Sequence, residues 1–397
     1  NELYMMNHLK QTCLLLIVLL AIAGCKTVNN DEADRPNILF IMSDDHTSQA
    51  WGIYGGILED YVHNPNIERL AESGVVLDNC FCTNSICVPS RAAILTGQYS
   101  HRNGVYTLGG HLDPDSLNVA KILQANGYQT AIFGKWHLKK EPAGFDKYMV
   151  LPDQGVYWDP VLKSREDWQD GFNGGKEYKG FSTDVIADFS IAWLDSIDRE
   201  KPFFLMTHFK ATHEPFDYPD RHKDLYKDID IPYPASIFDA GPETTGRLFA
   251  GQTLENLGMR YNKASTGPWW CEYPGLPFIT EGLERDEARM MIYQKFIKDF
   301  MRCGAAIDDN SGKLLDYLEE SGLDKNTVVI YTADQGYFLG EHGFFDKRMI
   351  YEESLRMPFV ISYPGEIEGN RRIDDIILNV DFASLYLDLL NVNLIEH

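Results

Sequence analysis

Short apolar runs that each end abruptly in polar residues constrain this chain more than any other feature. Asn37-Ile38-Leu39-Phe40-Ile41-Met42 follows Pro36 without polar alternation, as expected of a strand buried on both faces. Ser43-Asp44-Asp45-His46 comes directly after it. The arrangement returns at Gln129–Phe133 before Gly134-Lys135-Trp136-His137-Leu138, and at Phe203–His208 before Lys210-Ala211-Thr212-His213-Glu214-Pro215-Phe216. It returns again at Thr327–Thr332 before Ala333-Asp334-Gln335-Gly336. Further strands are expected from Val75 onward and over Phe359–Ser362. Between them lie helical spacings at Ile67–Ser73, Leu117–Asn126, Ser182–Asp198 and Arg285–Ser321, the last with a break expected near Asp308. Strands alternating with helices predict an α/β domain with a largely parallel sheet covered by helices on both faces. Ligands bind such sheets beyond the carboxyl ends of the strands. The polar residues that close each run are therefore the candidate site.

Two adjacent carboxylates at a strand end repel each other unless a cation lies between them. Asp44, Asp45, Asp334 and Gln335 together form an all-oxygen set suited to Ca²⁺ or Mg²⁺ and not to zinc. A helix N-cap at Asp45 is the other reading of the first pair. The formal net charge of −23 disfavours nucleic acid as a partner. It leaves an anionic substrate open, provided that cations gather in the site. Arg91, Lys135 and Lys347 are available for that purpose.

Cys87-Val88-Pro89-Ser90-Arg91, followed by Ala92-Ala93-Ile94-Leu95-Thr96-Gly97, opens another helix. Pro89 suits a first helical turn, where its missing N–H would be unpaired anyway. Cys87 is then expected just ahead of the helix, where free N–H groups and the dipole favour an anion. A small buried core cysteine is the plainer alternative. The Cys-x-Pro-Ser-Arg pattern resembles the modification site of the formylglycine-dependent (type I) sulfatases of the alkaline-phosphatase-like superfamily. The strand-end motifs, with Gly340-Glu341-His342-Gly343 and Phe345-Asp346-Lys347-Arg348, resemble sulfatase motifs in the same order, from about Pro36 to Leu390.

The resemblance implies the sulfatase fold and hydrolysis of sulfate monoesters with one Ca²⁺. Asp44, Asp45, Asp334, Gln335 and converted Cys87 would be the metal ligands. Cys87, oxidised to formylglycine by a maturation enzyme, would attack sulfur as its hydrate. Arg91 would orient the hydrate, Lys135 and Lys347 would hold the sulfate oxygens, and His213 would protonate the leaving oxygen. His137 would deprotonate the second hydroxyl, which expels sulfate. His208–Arg221 resembles bacterial 6-O-sulfatases that act on N-acetylglucosamine in glycosaminoglycans, so a sulfated carbohydrate is the expected substrate. A phosphomono- or phosphodiesterase of the same superfamily remains an alternative, as does an inactive, lipid-anchored glycan-binding protein. The two-zinc His set of such phosphatases is missing, and none of Cys87, Lys135, His137, His213 or Asp334 is lost.

Residues 1–25 read as a signal peptide: Lys10, the apolar run Leu14–Ile22, then Ala23-Gly24-Cys25. Ile22-Ala23-Gly24-Cys25 resembles a bacterial lipoprotein box, which implies membrane attachment through lipidated Cys25, in the periplasm or at the outer membrane. Residues 26–35 are expected to form a polar tether and residues 36–390 the catalytic domain. Within it, 210–282, rich in Pro, Gly and Tyr, reads as a substrate-selecting insertion over one edge of the sheet. Residues 391–397 are expected to begin a C-terminal region that continues beyond His397.

Overall fold

The run that opens the sheet extends two residues further than its apolar part, so that Ser43 and Asp44 still belong to the strand. The computed structural model describes residues 35–239, 251–390 and 392. The signal peptide, nearly all of the tether and most of 391–397 lie outside the described residues. Nine strands make one sheet: β1 (Asn37–Asp44), β2 (Val75–Phe81), β3 (Gln129–Lys135), β4 (Lys147–Leu151), β5 (Phe203–Thr212), β6 (Thr327–Ala333), β7 (Arg356–Met357), β8 (Phe359–Ser362) and β9 (Arg371–Leu378). β1 is central and parallel to β5 on one side and β6 on the other, with Ile38 opposite both Phe204 and Val328. β5 continues in parallel to β3, and β3 to β4. On the far side β8 runs antiparallel to both β6 and β2, so β2 points the same way as β1. The sheet is largely parallel, as the alternation predicted.

Side-chain alternation along β1 sends Ile38, Phe40 and Met42 into one core and Leu39 and Ile41 into the other. The first core is closed by α2 (Cys87–Thr96), α3 (Val119–Ala125) and α7 (Phe382–Leu389), through Val88, Ala92, Leu123, Phe382 and Tyr386. The second is closed by α1 (Pro65–Glu72), α4 (Ser182–Ser196) and α6 (Arg285–Ser321), through Leu70, Ile186, Ile307 and Leu314. Both faces of the sheet are thereby covered. Among the described residues no helix is long and apolar enough to cross a membrane.

Two expectations are corrected. α6 runs unbroken for 37 residues through Asp308. Asp308 is instead a buried acceptor that takes the backbone N–H of Asn66 (3.0 Å) and Ile67 (2.8 Å), capping α1 from another helix. The segment 210–282 neither begins at Lys210, which lies within β5, nor sits over a sheet edge. Its Phe216, Ile231, Leu257 and Tyr273, including those of α5 (Leu254–Thr266), form a third core with Phe296 and Phe300 of α6 and with Tyr337 and Phe345. Those last two follow β6, so the described part of the segment packs at the carboxyl end of the sheet.

His208 in β5 stands edge-on to Phe40, with Nδ1 3.2 Å from the Lys135 carbonyl and no partner for Nε2. Burial, and then the charge of Arg91, hold its pKa well below the ordinary value. The unfolded chain takes a proton near pH ~6.5 that the folded chain refuses. Stability attributable to this residue therefore falls as pH drops below ~6.5. His208→Gln is expected to lose less stability than wild type between about pH 7.5 and about pH 5, by at most about 2 kcal/mol. Denaturant unfolding at the two pH values measures this, and an equal or larger loss in the variant would contradict it.

Candidate active site at the carboxyl ends of the strands

In an extended strand, successive side chains point to opposite faces. Asp44 and Asp45 escape this because Asp45 takes a left-handed conformation (φ 65) immediately after β1. Asp334 follows β6; its N–H donates to the Ser43 carbonyl (3.2 Å), and its Oδ1 accepts the Asp45 N–H (3.1 Å). Two parallel neighbours thus cross-brace each other's first loop residues. Asp44, Asp45, Asp334 and Gln335 are all buried there.

β2 delivers Cys87 to the same end of the sheet. Cys87 is the first residue of α2 and not the residue ahead of it, with Ile86 as an extended cap (φ −157, ψ 137). The two residues after Pro89 bolt the helix to β6. Ser90 Oγ donates to the Asp334 carbonyl and accepts from Asn379 Nδ2 (2.8 Å). Arg91 donates to Asp334 Oδ2 (2.9 Å), the Lys135 carbonyl (2.5 Å) and Asp44 Oδ1 (3.3 Å). Its described hydrogen bonds go to carboxylates and backbone, so any orienting effect on Cys87 passes through those groups.

Lys135 ends β3, and a Cβ at Gly134 (φ +98) would collide with the His208 carbonyl, so only glycine lets β3 approach β5 there. Lys135 Nζ donates to Asp44 and to Gln154 Oε1 (2.6 Å), while Lys347 Nζ donates to both oxygens of Asp45. His137 Nε2 lies 3.0 Å from Asp153 Oδ1, and its buried Nδ1 has no partner. His213 Nδ1 lies 2.9 Å from the Glu214 carbonyl, which can only accept, so Nδ1–H donates and Nε2 faces Asp45 Oδ2 at 3.7 Å. The structure therefore gathers every residue singled out in the sequence: Asp44, Asp45, Cys87, Arg91, Lys135, His137, His213, Asp334, Gln335 and Lys347.

Asp153, Gln154 and Asn379 were not singled out. The signal for the first two was the apolar run Tyr148–Leu151, which is β4 and ends just before them. Asn379 follows β9, where the short apolar run Ile376-Ile377-Leu378 comes after four charged residues and most positions are exposed. It accepts from both the N–H and the hydroxyl of Thr83 (3.0 Å each), tying the loop before α2 to Ser90.

Burial raises the Asp45 carboxyl to about 6, with Asp44 adding to the rise and Lys347 opposing it. Burial and then Asp44 raise Asp334 to about 7, against Arg91. Burial also acts on Asp44, but Lys135, Arg91 and Lys347 outweigh it and hold that carboxyl well below the usual range. Burial keeps His137 neutral, with its pKa lowered to about 4 despite the Asp153 bond. A compact set of mutually repelling buried carboxylates fits a hard divalent cation. Ligand atoms of Asp44, Cys87 and Asp334 lie within 4.8 Å of one another, as do those of Asp44, Asp45 and His213. Gln335 supports the fit: its Nε2 donates to Asp45, which leaves a buried Oε1 without a partner.

The Asp153–His137 pair fixes a tautomer. With Nε2–H on the carboxylate, neutral His137 presents the Nδ1 lone pair to the site. Asp153→Asn is expected to release that preference and lower turnover by about 10–100-fold with KM little changed. Nitrogen NMR of the ring, labelled in the full chain, reads the tautomer directly. An Nε2-protonated ring in Asp153→Asn at full activity would rule this out.

A helix-borne thiol, Lys135, Lys347 and a buried oxygen-rich set that fits a divalent cation meet at one end of a parallel sheet, an arrangement suited to hydrolysis of anionic esters. The sulfatase family model matches residues 36–392, and the chain belongs to that family. It is a sulfuric ester hydrolase, of a family that generally works with formylglycine and a divalent metal. It is 38% identical to an N-acetylglucosamine-6-O-sulfatase of Bacteroides thetaiotaomicron, over 96% of this chain and 72% of that protein. It is 25% identical to the human N-acetylglucosamine-6-sulfatase, over 96% of this chain and 66% of that protein. The solved structure of BT4656 with its substrate D-glucosamine-2-N,6-O-disulfate superposes with a TM-score of 0.80 at 36% identity. That match covers 91% of this chain and 78% of the other.

Proposed function

We propose that the protein removes 6-O-sulfate from N-acetylglucosamine units of glycosaminoglycan fragments. The observation that carries this reading is the 38% identity, over 96% of the chain, to an enzyme named for that activity. The likeness to a structure holding a 6-O-sulfated glucosamine supports it.

Asp44, Asp45, Asp334 and Gln335, with an oxygen at converted Cys87, would hold one Ca²⁺, which supplies charge stabilisation for a bound sulfate. Cys87, converted to formylglycine by a maturation enzyme, would supply the nucleophile. Lys135 and Lys347 bring positive charge to an otherwise acidic protein and hold the sulfate oxygens in a dry site, where such contacts are strong. Arg91 holds Asp334, Asp44 and the Lys135 backbone in register. Burial, then Lys135 and Lys347, hold the His213 pKa well below its ordinary value, so His213 would take a second proton, on Nε2, only as the anionic substrate binds, and would pass that proton to the leaving oxygen. His137 Nδ1 accepts a proton on the side fixed by Asp153. The proposal includes attachment to a bacterial membrane through lipidated Cys25, in the periplasm or at the outer membrane. It rests on Ile22-Ala23-Gly24-Cys25, which lies outside the described residues.

A panel of defined sulfated sugars tests the substrate. Sulfate release from N-acetylglucosamine-6-sulfate, and not from its 3-O-sulfated isomer or from galactose-6-sulfate, is the expected result. Preference for another position or sugar would replace the reading. Elemental analysis should find one Ca²⁺ per chain; stoichiometric zinc would favour the phosphatase alternative.

A further inference from the structure

Lys210 is 2% exposed at the carboxyl end of β5, yet its ammonium has no hydrogen-bond acceptor or carboxylate among the described residues. The other site cations are paired: Lys135 with Asp44 and Gln154, Lys347 with Asp45, and Arg91 with Asp334 and Asp44. Among the described residues the Lys210 ammonium lies over the ring of Tyr157, 4.8 Å from Nζ to the centroid. A ring face compensates an ammonium only in part, Asp44 acts on it without forming an ion pair, and a buried charge without a paired counter-charge is costly. In a chain of formal net charge −23, an unpaired interior cation marks a place for an incoming anion.

Its position is beside the backbone of His213, the acid proposed for the leaving group, and near enough to Lys135 and Asp44 to feel their charges. The Tyr157 hydroxyl donates to the His213 carbonyl (2.6 Å), so the ring under Lys210 also holds the His213 backbone. Lys210 acts on His213 after Lys135, Lys347 and Asp44, whereas the charges that act most on the Cys87 thiol are Lys347, Lys135, Asp44 and Asp45. Burial, and then Lys135, lower the Lys210 pKa to about 8, which leaves it mostly charged at neutral pH. The scissile sulfate already has Lys135 and Lys347.

We infer that Lys210 is a specificity-determining residue that receives a second anionic substituent of the sugar, a sulfate or a carboxylate, other than the ester being cleaved. This rests on the glucosamine-6-sulfate reading and names a finer substrate class within it: doubly anionic sugars. Discrimination here comes from an ammonium left unpaired until such a sugar arrives.

The test compares kcat/KM for three substrates in the full chain: N-acetylglucosamine-6-sulfate, glucosamine-2-N,6-O-disulfate, and a uronate-bearing disaccharide of the first. Wild type is expected to prefer at least one doubly anionic substrate over the first. In Lys210→Met, which keeps the bulk over Tyr157, that preference should fall by at least about 10-fold, mainly through KM. Lys210→Arg should keep it. The substrate whose preference collapses identifies the second anion as sulfate or carboxylate. No preference in wild type, or an unchanged preference in Lys210→Met, would overturn the inference. If wild type hydrolyses p-nitrophenyl sulfate but none of the three sugars, the glucosamine reading fails by itself. Inhibition of that aryl sulfate turnover by glucosamine-2-N-sulfate then decides the role of Lys210. Inhibition weakened at least about 10-fold in Lys210→Met sustains it; no inhibition of wild type, or inhibition unchanged in the variant, overturns it.

Discussion

Cys87→Ala is expected to reduce sulfate release by at least about 10⁴-fold while shifting folding stability by no more than about 1–2 kcal/mol. The argument begins with burial. Cys87 is 0% exposed, and desolvation raises its thiol to about 12 even though Lys347 and Lys135 pull it down. A thiol so placed is almost entirely protonated at neutral pH and is a poor nucleophile. The helix N-terminus and two lysines thus leave the thiol protonated, which agrees with the proposed conversion of position 87 to a different group. Mass spectrometry of the peptide containing Cys87, from active protein, should show the thiol replaced by an aldehyde or its hydrate. An active preparation in which Cys87 remains fully alkylatable would refute the conversion. Cys87→Ser, with a side chain of similar size, should fold and be inactive as well.

His213→Ala is expected to harm sugar sulfates far more than aryl sulfates. A sugar alkoxide is a strong base and needs a proton as it departs, while a nitrophenolate leaves unaided. General acid help is worth about 10²–10⁴-fold, so the ratio of the two losses should approach that range. The geometry states which atom delivers the proton. Nδ1–H is committed to the Glu214 carbonyl, so the delivered proton must sit on Nε2, where burial, Lys135 and Lys347 disfavour it until an anionic substrate is bound. His213→Gln should not rescue the sugar substrate, because an amide does not transfer a proton at this pH. Equal losses on both substrates would mean that His213 only binds the sulfate. Lys347 would then be the next acid to test.

The site was legible in the sequence wherever a side chain follows directly on an apolar run. Asp44, Asp45, Lys135, Asp334 and Gln335 all stand at such places, because a buried strand fixes where the next residue emerges. Cys87 was legible through its own motif, although its place one residue inside the helix depends on Ile86 staying extended. Asp153 and Gln154 were missed with β4, a five-residue strand that begins at exposed Lys147. Asn379 was missed with β9, whose apolar run Ile376-Ile377-Leu378 is only three residues long and follows Arg371, Arg372, Asp374 and Asp375. Asp308 shows a deeper limit. A carboxylate in mid-helix reads locally as a break, and its capping of α1 requires knowing that residues 66 and 308 meet. Lys210 reads locally as a solvated lysine, and only the structure takes its solvent away.

The pairing of β1 with β6 also sets a timetable. Asp44 and Asp334 are brought together by strands that lie 290 residues apart in the chain, Asn37 opposite Thr327. During synthesis, the amino-terminal third leaves the ribosome with neither parallel partner of β1 yet made. Ser90 likewise waits for Asp334 and Asn379 before α2 has anything to lock onto. Cys87, sealed in the finished protein, is thus open for as long as the chain is growing. The maturation enzyme proposed for Cys87 would have that interval, and a fully folded molecule that missed it would have to unfold locally to be reached.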